Sequence, residues 1–238
     1  MTSINFASGF AKRIKRMQWR TLLVSGVLGL GLGLGPLPAA ACQLERLQLQ
    51  VADPLDAADV CVGVGRALTF FAEYGLDLRQ PVRLEVRPSL PSGASNTAAG
   101  IFMPDQSLIY MLSFSSFRKF RNWFNLSITR EVYQSLAAHE VAHAITNAHF
   151  SIDRPSVHAR EYLAYVALFA TMPAKLRRQA LAAMPGQGFE DEQRLSLPVY
   201  LMDPMFFGAQ SYRHFLHLSP AQRSAFFQAL LAGEALTD

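Results

Sequence analysis

The chain has 238 residues, 50% of them hydrophobic, with 22 Lys and Arg against 18 Asp and Glu and only two cysteines. That apolar content excludes a disordered polypeptide. The basic excess is confined to one end: Lys12, Arg13, Lys15, Arg16 and Arg20 are five cations with no acid among residues 1–41, so the remainder holds 17 basic against 18 acidic residues, a net charge of −1 that offers nothing to a nucleic acid or an anionic membrane surface.

Taken in chain order, residues 1–41 read as an export signal. The five cations form a positive leader, Thr21 to Gly35 a Leu- and Gly-rich apolar run, and Pro36-Leu37-Pro38 a breaker before the Ala39-Ala40-Ala41 cleavage site. The run is short for a membrane span, so the expectation is a cleaved signal and no transmembrane segment after cleavage. The mature protein, residues 42–238, is then a single domain in the periplasm or outside the cell. In that compartment Cys42 and Cys61 are expected to pair as a disulfide, with a lipid-modified Cys42 as the alternative.

Leu44 to Val51 alternates as a strand, Leu55 to Tyr74 reads as a helix closing on Gly75, and Val82 to Val86 alternates again. After a loop at Pro91-Ser92-Gly93, Gly100 to Met103 and Ser107 to Phe114 suggest a hairpin about Pro104-Asp105-Gln106. Phe117 to Phe124 mixes Arg118, Lys119 and Arg121 with Phe120 and Trp123. A packed aromatic strip with solvated cations suits it better than a base-stacking surface. Helices are expected at 130–148, 157–171, 173–184, 200–217 and 220–232, the last with Ser219 as N-cap, Pro220 at its first position and Gln222 completing a capping box. A small mixed sheet followed by helices is an α+β plan.

The chemistry is carried by His139-Glu140-Val141-Ala142-His143. On a helix, residues four apart stand one above the other, so both imidazoles can grip one metal ion while Glu140 faces the water activated there. The surrounding Leu136, Ala137, Val141, Ala142 and Ile145 bury this helix, and two histidines and a carboxylate in a core need a cation or other partners. A zinc ion with catalytic function wants a third protein ligand. Glu161, on the next helix, is the preferred choice; His149 and His158 are the alternatives, and His217 reads as solvent-facing.

The pattern His139-Glu140-x-x-His143 followed by Glu161 in a Glu-x-x-Ala sequence resembles the gluzincin branch of zinc metallopeptidases, and the sheet-then-helices order is similar to the zincin fold. The likeness covers about forty residues, from 130 to 171. It implies peptide hydrolysis, with Zn2+ held by His139, His143 and Glu161 and Glu140 as general base. On this reading Tyr212 or His214 is expected to donate to the developing oxyanion, and an extended peptide or protein substrate is expected to pair with the sheet edge at Leu108 to Leu112. The competing class is a non-catalytic, metal-stabilised envelope scaffold or binding domain, and a third is a metal hydrolase acting on a non-peptide bond.

Overall fold

The computed structural model describes residues 44–237 apart from 96 and 190–193. The expected export signal and Cys42 therefore lie outside the described residues, whereas Cys61 is disulfide-bonded. The described residues form one unit.

Strand β1 (Leu47–Gln50) leads into helix α1 (Pro54–Ala72), which starts at Asp53 because its carboxylate accepts from the Leu55 amide and Pro54 needs no partner for a missing N–H. Strands β2 (Val82–Arg87), β3 (Gly100–Met103) and β4 (Leu108–Leu112) follow. The sheet order is β1-β2-β4-β3, with β1 and β2, and β2 and β4, parallel and β3 antiparallel to β4. The mixed sheet is thus present, but β4 is an interior strand. Leu108–Leu112 has both edges paired and cannot receive a substrate strand; the free edge beside it belongs to β3.

The aromatic link forms a short helix α2 (Phe114–Phe117) and a hairpin of β5 (Asn122–Trp123) and β6 (Leu126–Ser127). Its two-residue turn puts Phe124 and Asn125 at φ +53° and +55°, as a type I′ turn requires. Phe117 and Phe124 are buried while Arg118, Lys119 and Arg121 are exposed, the arrangement expected of a packed strip.

Helix α3 (Arg130–Asn147) carries the His-Glu motif and is buried on nearly every face. Gly63 of α1 lets it lie that deep, since a Cβ there would sit 2.8 Å from Ala137 Cβ and closer still to the Gln134 carbonyl. The contact is pinned at one end by Arg130, 2.6 Å from the buried Asp56 and 3.0 Å from Asp59, and by the Gln134 amide, 2.7 Å from Asp59. Tyr133 donates to the Leu112 carbonyl at 2.8 Å, tying the helix to β4.

Helices α4 (Val157–Thr171) and α5 (Ala174–Ala183) follow expectation closely. The single helix expected at 200–217 is two: α6 (Leu197–Met202) and α7 (Pro204–His217), because Asp203 leaves helical geometry to cap α7, accepting from the Phe206 amide at 2.9 Å, and Pro204 cannot continue the preceding turn. Helix α8 (Pro220–Ala232) has the capping box at Ser219 and Gln222 and ends on Gly233 at φ +74°. The chain is therefore α+β. No helix among the described residues is long and apolar enough to cross a membrane.

Candidate metal centre

Helix α3 presents His139 and His143 one turn apart, and α4, lying across it, presents Glu161 to both. The two Nε2 atoms are 3.3 Å apart, and each is 3.7 Å from a Glu161 carboxylate oxygen. Donors bound to one tetrahedral zinc at 2.0–2.2 Å stand about 3.3–3.6 Å from one another. Two imidazoles and a carboxylate at these separations fit such an ion closely, and all three ligand atoms fall within 4.8 Å of one another.

Electrostatics supports the same fit. Burial, and then repulsion between the two rings, holds His139 well below its ordinary value, while an interaction with the Ala164 backbone opposes this. Burial, followed by the Arg160 guanidinium, brings His143 down to about 4. Both rings are thus neutral at pH 7 and keep a lone pair for a metal. Neither makes an ion pair with Glu161 in that state. Burial raises Glu161 to about 7, against the pull of Arg160 and a hydrogen bond from Tyr200. Glu140 is pushed well above the usual carboxylate range, by burial first and by Glu161 second. Such a cluster costs free energy to bury alone, and one divalent cation compensates all of it.

The group lies in the wall of a cleft of about 560 Å³. Gly100, Ile101 and Phe102 of the free-edged strand β3 line it too. Gly100 faces Glu140 directly: a Cβ there would stand 2.6 Å from Glu140 Cγ and closer to its carboxyl. Tyr165 packs its ring 4.6 Å from that of His139, and Tyr200 of α6 reaches Glu161 with its hydroxyl. Burial, then the charge of Glu161, raises both phenols, so they remain protonated donors.

The sequence-derived residues divide cleanly. His139, Glu140, His143 and Glu161 come together. His149 does not join them; its Nε2 turns to the α1–β2 connection, 2.9 Å from the Asp77 carbonyl and 3.3 Å from its carboxylate. His158 is buried in the first turn of α4, outside the group, and His217 is exposed. Tyr212 and His214 are not in the cleft lining. Tyr212 stacks between Phe169 and Phe215, and His214 Nδ1 shares a 2.8 Å hydrogen bond with Tyr162 against Phe226.

Tyr200, Tyr165, Gly100 and Arg160 are site residues that sequence reasoning missed. For Tyr200 the signal was present: Asp203-Pro204 marks a helix start, which separates Tyr200 from α7 and frees it to turn toward α4.

An α+β protein with two helices converging on a His-His-Glu group that could hold a metal ion is thus the class that fold and site define. The chain belongs to the family of unknown function DUF6639, which matches residues 47–238. No curated protein and no solved structure matches it.

Proposed function

We propose that this protein is a zinc-dependent hydrolase, a metallopeptidase of zincin-like architecture and gluzincin type, in which His139, His143 and Glu161 hold Zn2+ and Glu140 is the general base. The observation that carries the reading is the three-donor group with a fourth, non-ligating carboxylate beside it in an open cleft. A purely structural metal site closes its coordination with a fourth protein ligand and has no use for Glu140. Bound there, zinc supplies Lewis acidity, making a water acidic near neutrality and polarising a carbonyl.

The chain's own residues do the rest. Glu140, walled in by Gly100, is held to one position and accepts the proton of the attacking water; its elevated affinity for protons suits it to pass that proton on to the leaving amine. The free edge of β3 takes the substrate backbone as an added strand, in place of the interior strand Leu108–Leu112. Tyr200, a protonated phenol hydrogen-bonded to Glu161, would turn its single O–H from that carboxylate to the developing oxyanion, the role that sequence reading gave to Tyr212 or His214.

The test is zinc content measured beside cleavage of casein and a peptide library. The purified chain should hold about one zinc and cleave. Glu140→Gln should keep the metal and lose about 10²- to 10⁴-fold in turnover. Turnover unchanged by that substitution overturns the reading.

A further inference from the structure

The cleft has a direction. On α3 its lining runs from Leu136 past His139, Glu140 and His143 to Asn147, about 16 Å at 1.5 Å per residue. Trp123 lies at the Leu136 end, since it packs on Phe117, which in turn packs on Tyr133 in the first turns of α3. Tyr165 is at the same end, beside His139 and Phe124. Helix α4 runs the other way past the site: Phe169 and Tyr165 meet Phe124, and Arg160 falls with Asn147 at the far end. One end is aromatic and the other holds a guanidinium.

Arg160 differs from Arg130, Arg177 and Arg223, whose guanidinium groups donate to carboxylates or helix carbonyls. The Arg160 side chain makes no hydrogen bond or ion pair with any described residue, and its Nε is shut off from solvent without a partner. It lines both the cleft and an adjoining hollow of about 440 Å³, which Asn147 also borders. Asp105, Asp153 and Arg154 line that hollow too, yet no ion pair joins either acid to Arg160. Within the main cleft the acidic groups are Glu140 and Glu161, whose two charges a divalent cation would balance. The guanidinium would then be the uncompensated charge, with a fork of donors suited to a carboxylate.

We propose that Arg160 is a specificity-determining residue that receives a carboxylate of the substrate at the Asn147 end of the cleft. This rests on the peptidase reading above. The carboxylate is supplied either by an Asp or Glu side chain or by the free C-terminus of the peptide, and both present the same planar pair of oxygens.

The experiment uses the zinc-loaded mature chain and paired peptides differing only in Asp/Asn or Glu/Gln at each position, together with C-terminal acid and amide forms. One carboxylate position should raise kcat/KM by about 10- to 100-fold over its neutral twin. An effect at an internal position assigns a side chain; one at the acid/amide pair assigns the C-terminus. Arg160→Gln, assayed at saturating zinc because the guanidinium also pulls on Glu161, should erase the preference by raising KM for the carboxylate peptide to that of its neutral twin, and Arg160→Glu should turn the preference toward Lys or Arg at that same position. A group that merely steadied Glu161 would instead slow both twins alike when replaced and leave their ratio unchanged. Equal cleavage of every pair overturns the inference and leaves the peptidase reading standing. If nothing is cleaved, binding of the same pairs to the full chain carrying Glu140→Gln, followed by calorimetry, decides. A carboxylate preference that Arg160→Gln removes upholds the inference while the peptidase reading fails, and no preference overturns it.

Discussion

Two buried polar clusters lie on neighbouring faces of α4, one residue apart in sequence. On one side Tyr162 meets His214 of α7 at 2.8 Å, inside a shell of aromatic rings that includes Phe226. On the other, Glu161 meets His139 and His143 of α3. Both contain buried histidines held neutral by desolvation. They differ in how the polar atoms are satisfied. In the first, the phenol hydroxyl and the imidazole Nδ1 satisfy one another. The second brings two lone pairs and a carboxylate to one point with Glu140 alongside, and no arrangement of protons on those groups serves them all near neutrality. Burial of a histidine is therefore uninformative; what separates packing from chemistry is whether the cluster satisfies itself.

The largest effect should come from removing a donor on the unsatisfied side. Glu161→Ala should strip the protein of zinc, from about one ion per chain to near none by elemental analysis. His149→Ala, outside the group, should leave the metal in place, and zinc lost from the His149 variant but kept by the Glu161 variant would break the comparison.

Next in size is the pH dependence of zinc affinity. Glu161 without metal titrates near 7, so below that pH a proton must leave before the metal can bind, and affinity should fall about tenfold per unit as pH drops from 7. His143, at about 4, adds its own proton competition only near that lower value, so a titration by competition with a chelator should steepen there. Glu161's sign is also testable in the metal-free chain. Its folded value lies above 4.5, so its contribution to stability is complete below about 4.5 and is lost as pH rises through 7. An affinity independent of pH between 5 and 7 would contradict the assignment of Glu161.

Tyr200→Phe removes a hydrogen bond to Glu161 but no ligand, and should weaken zinc binding by about 10- to 100-fold. The smallest effect belongs to the self-satisfied side. Tyr162→Phe leaves His214 Nδ1 without its partner and should cost about 1–2 kcal/mol in urea unfolding, with zinc content unchanged. If zinc were lost as well, the two faces of α4 would not be independent.

Elements whose signal is local were legible in the chain of letters. Helix α4 and helix α8 with its capping box occupy the expected residues, as do the hairpin strands β3 and β4 to within a residue or two, because hydrophobic period and caps act over three or four positions. Spacing alone also aligned His139, Glu140 and His143, since a helix places residues four apart on one face whatever surrounds it. The break at Asp203-Pro204 is local too, a capping Asp followed by Pro, and it is a signal that the expected 200–217 helix ran across.

Tertiary structure decided everything that depends on which surfaces meet. By sequence Glu161 was preferred over His149 and His158 without any contact to settle it; the packing of α4 on α3 brings Glu161 beside His139 and His143, and the α1–β2 loop, 72 residues upstream, claims His149 through Asp77. Tyr212 and His214 were the donors expected from sequence, and the face of α7 that packs on α4 sends them into the core. Strand order placed β3, not β4, at the edge. Backbone pairing across a crossover, like side-chain convergence between helices, joins residues distant in sequence, and no local period encodes it.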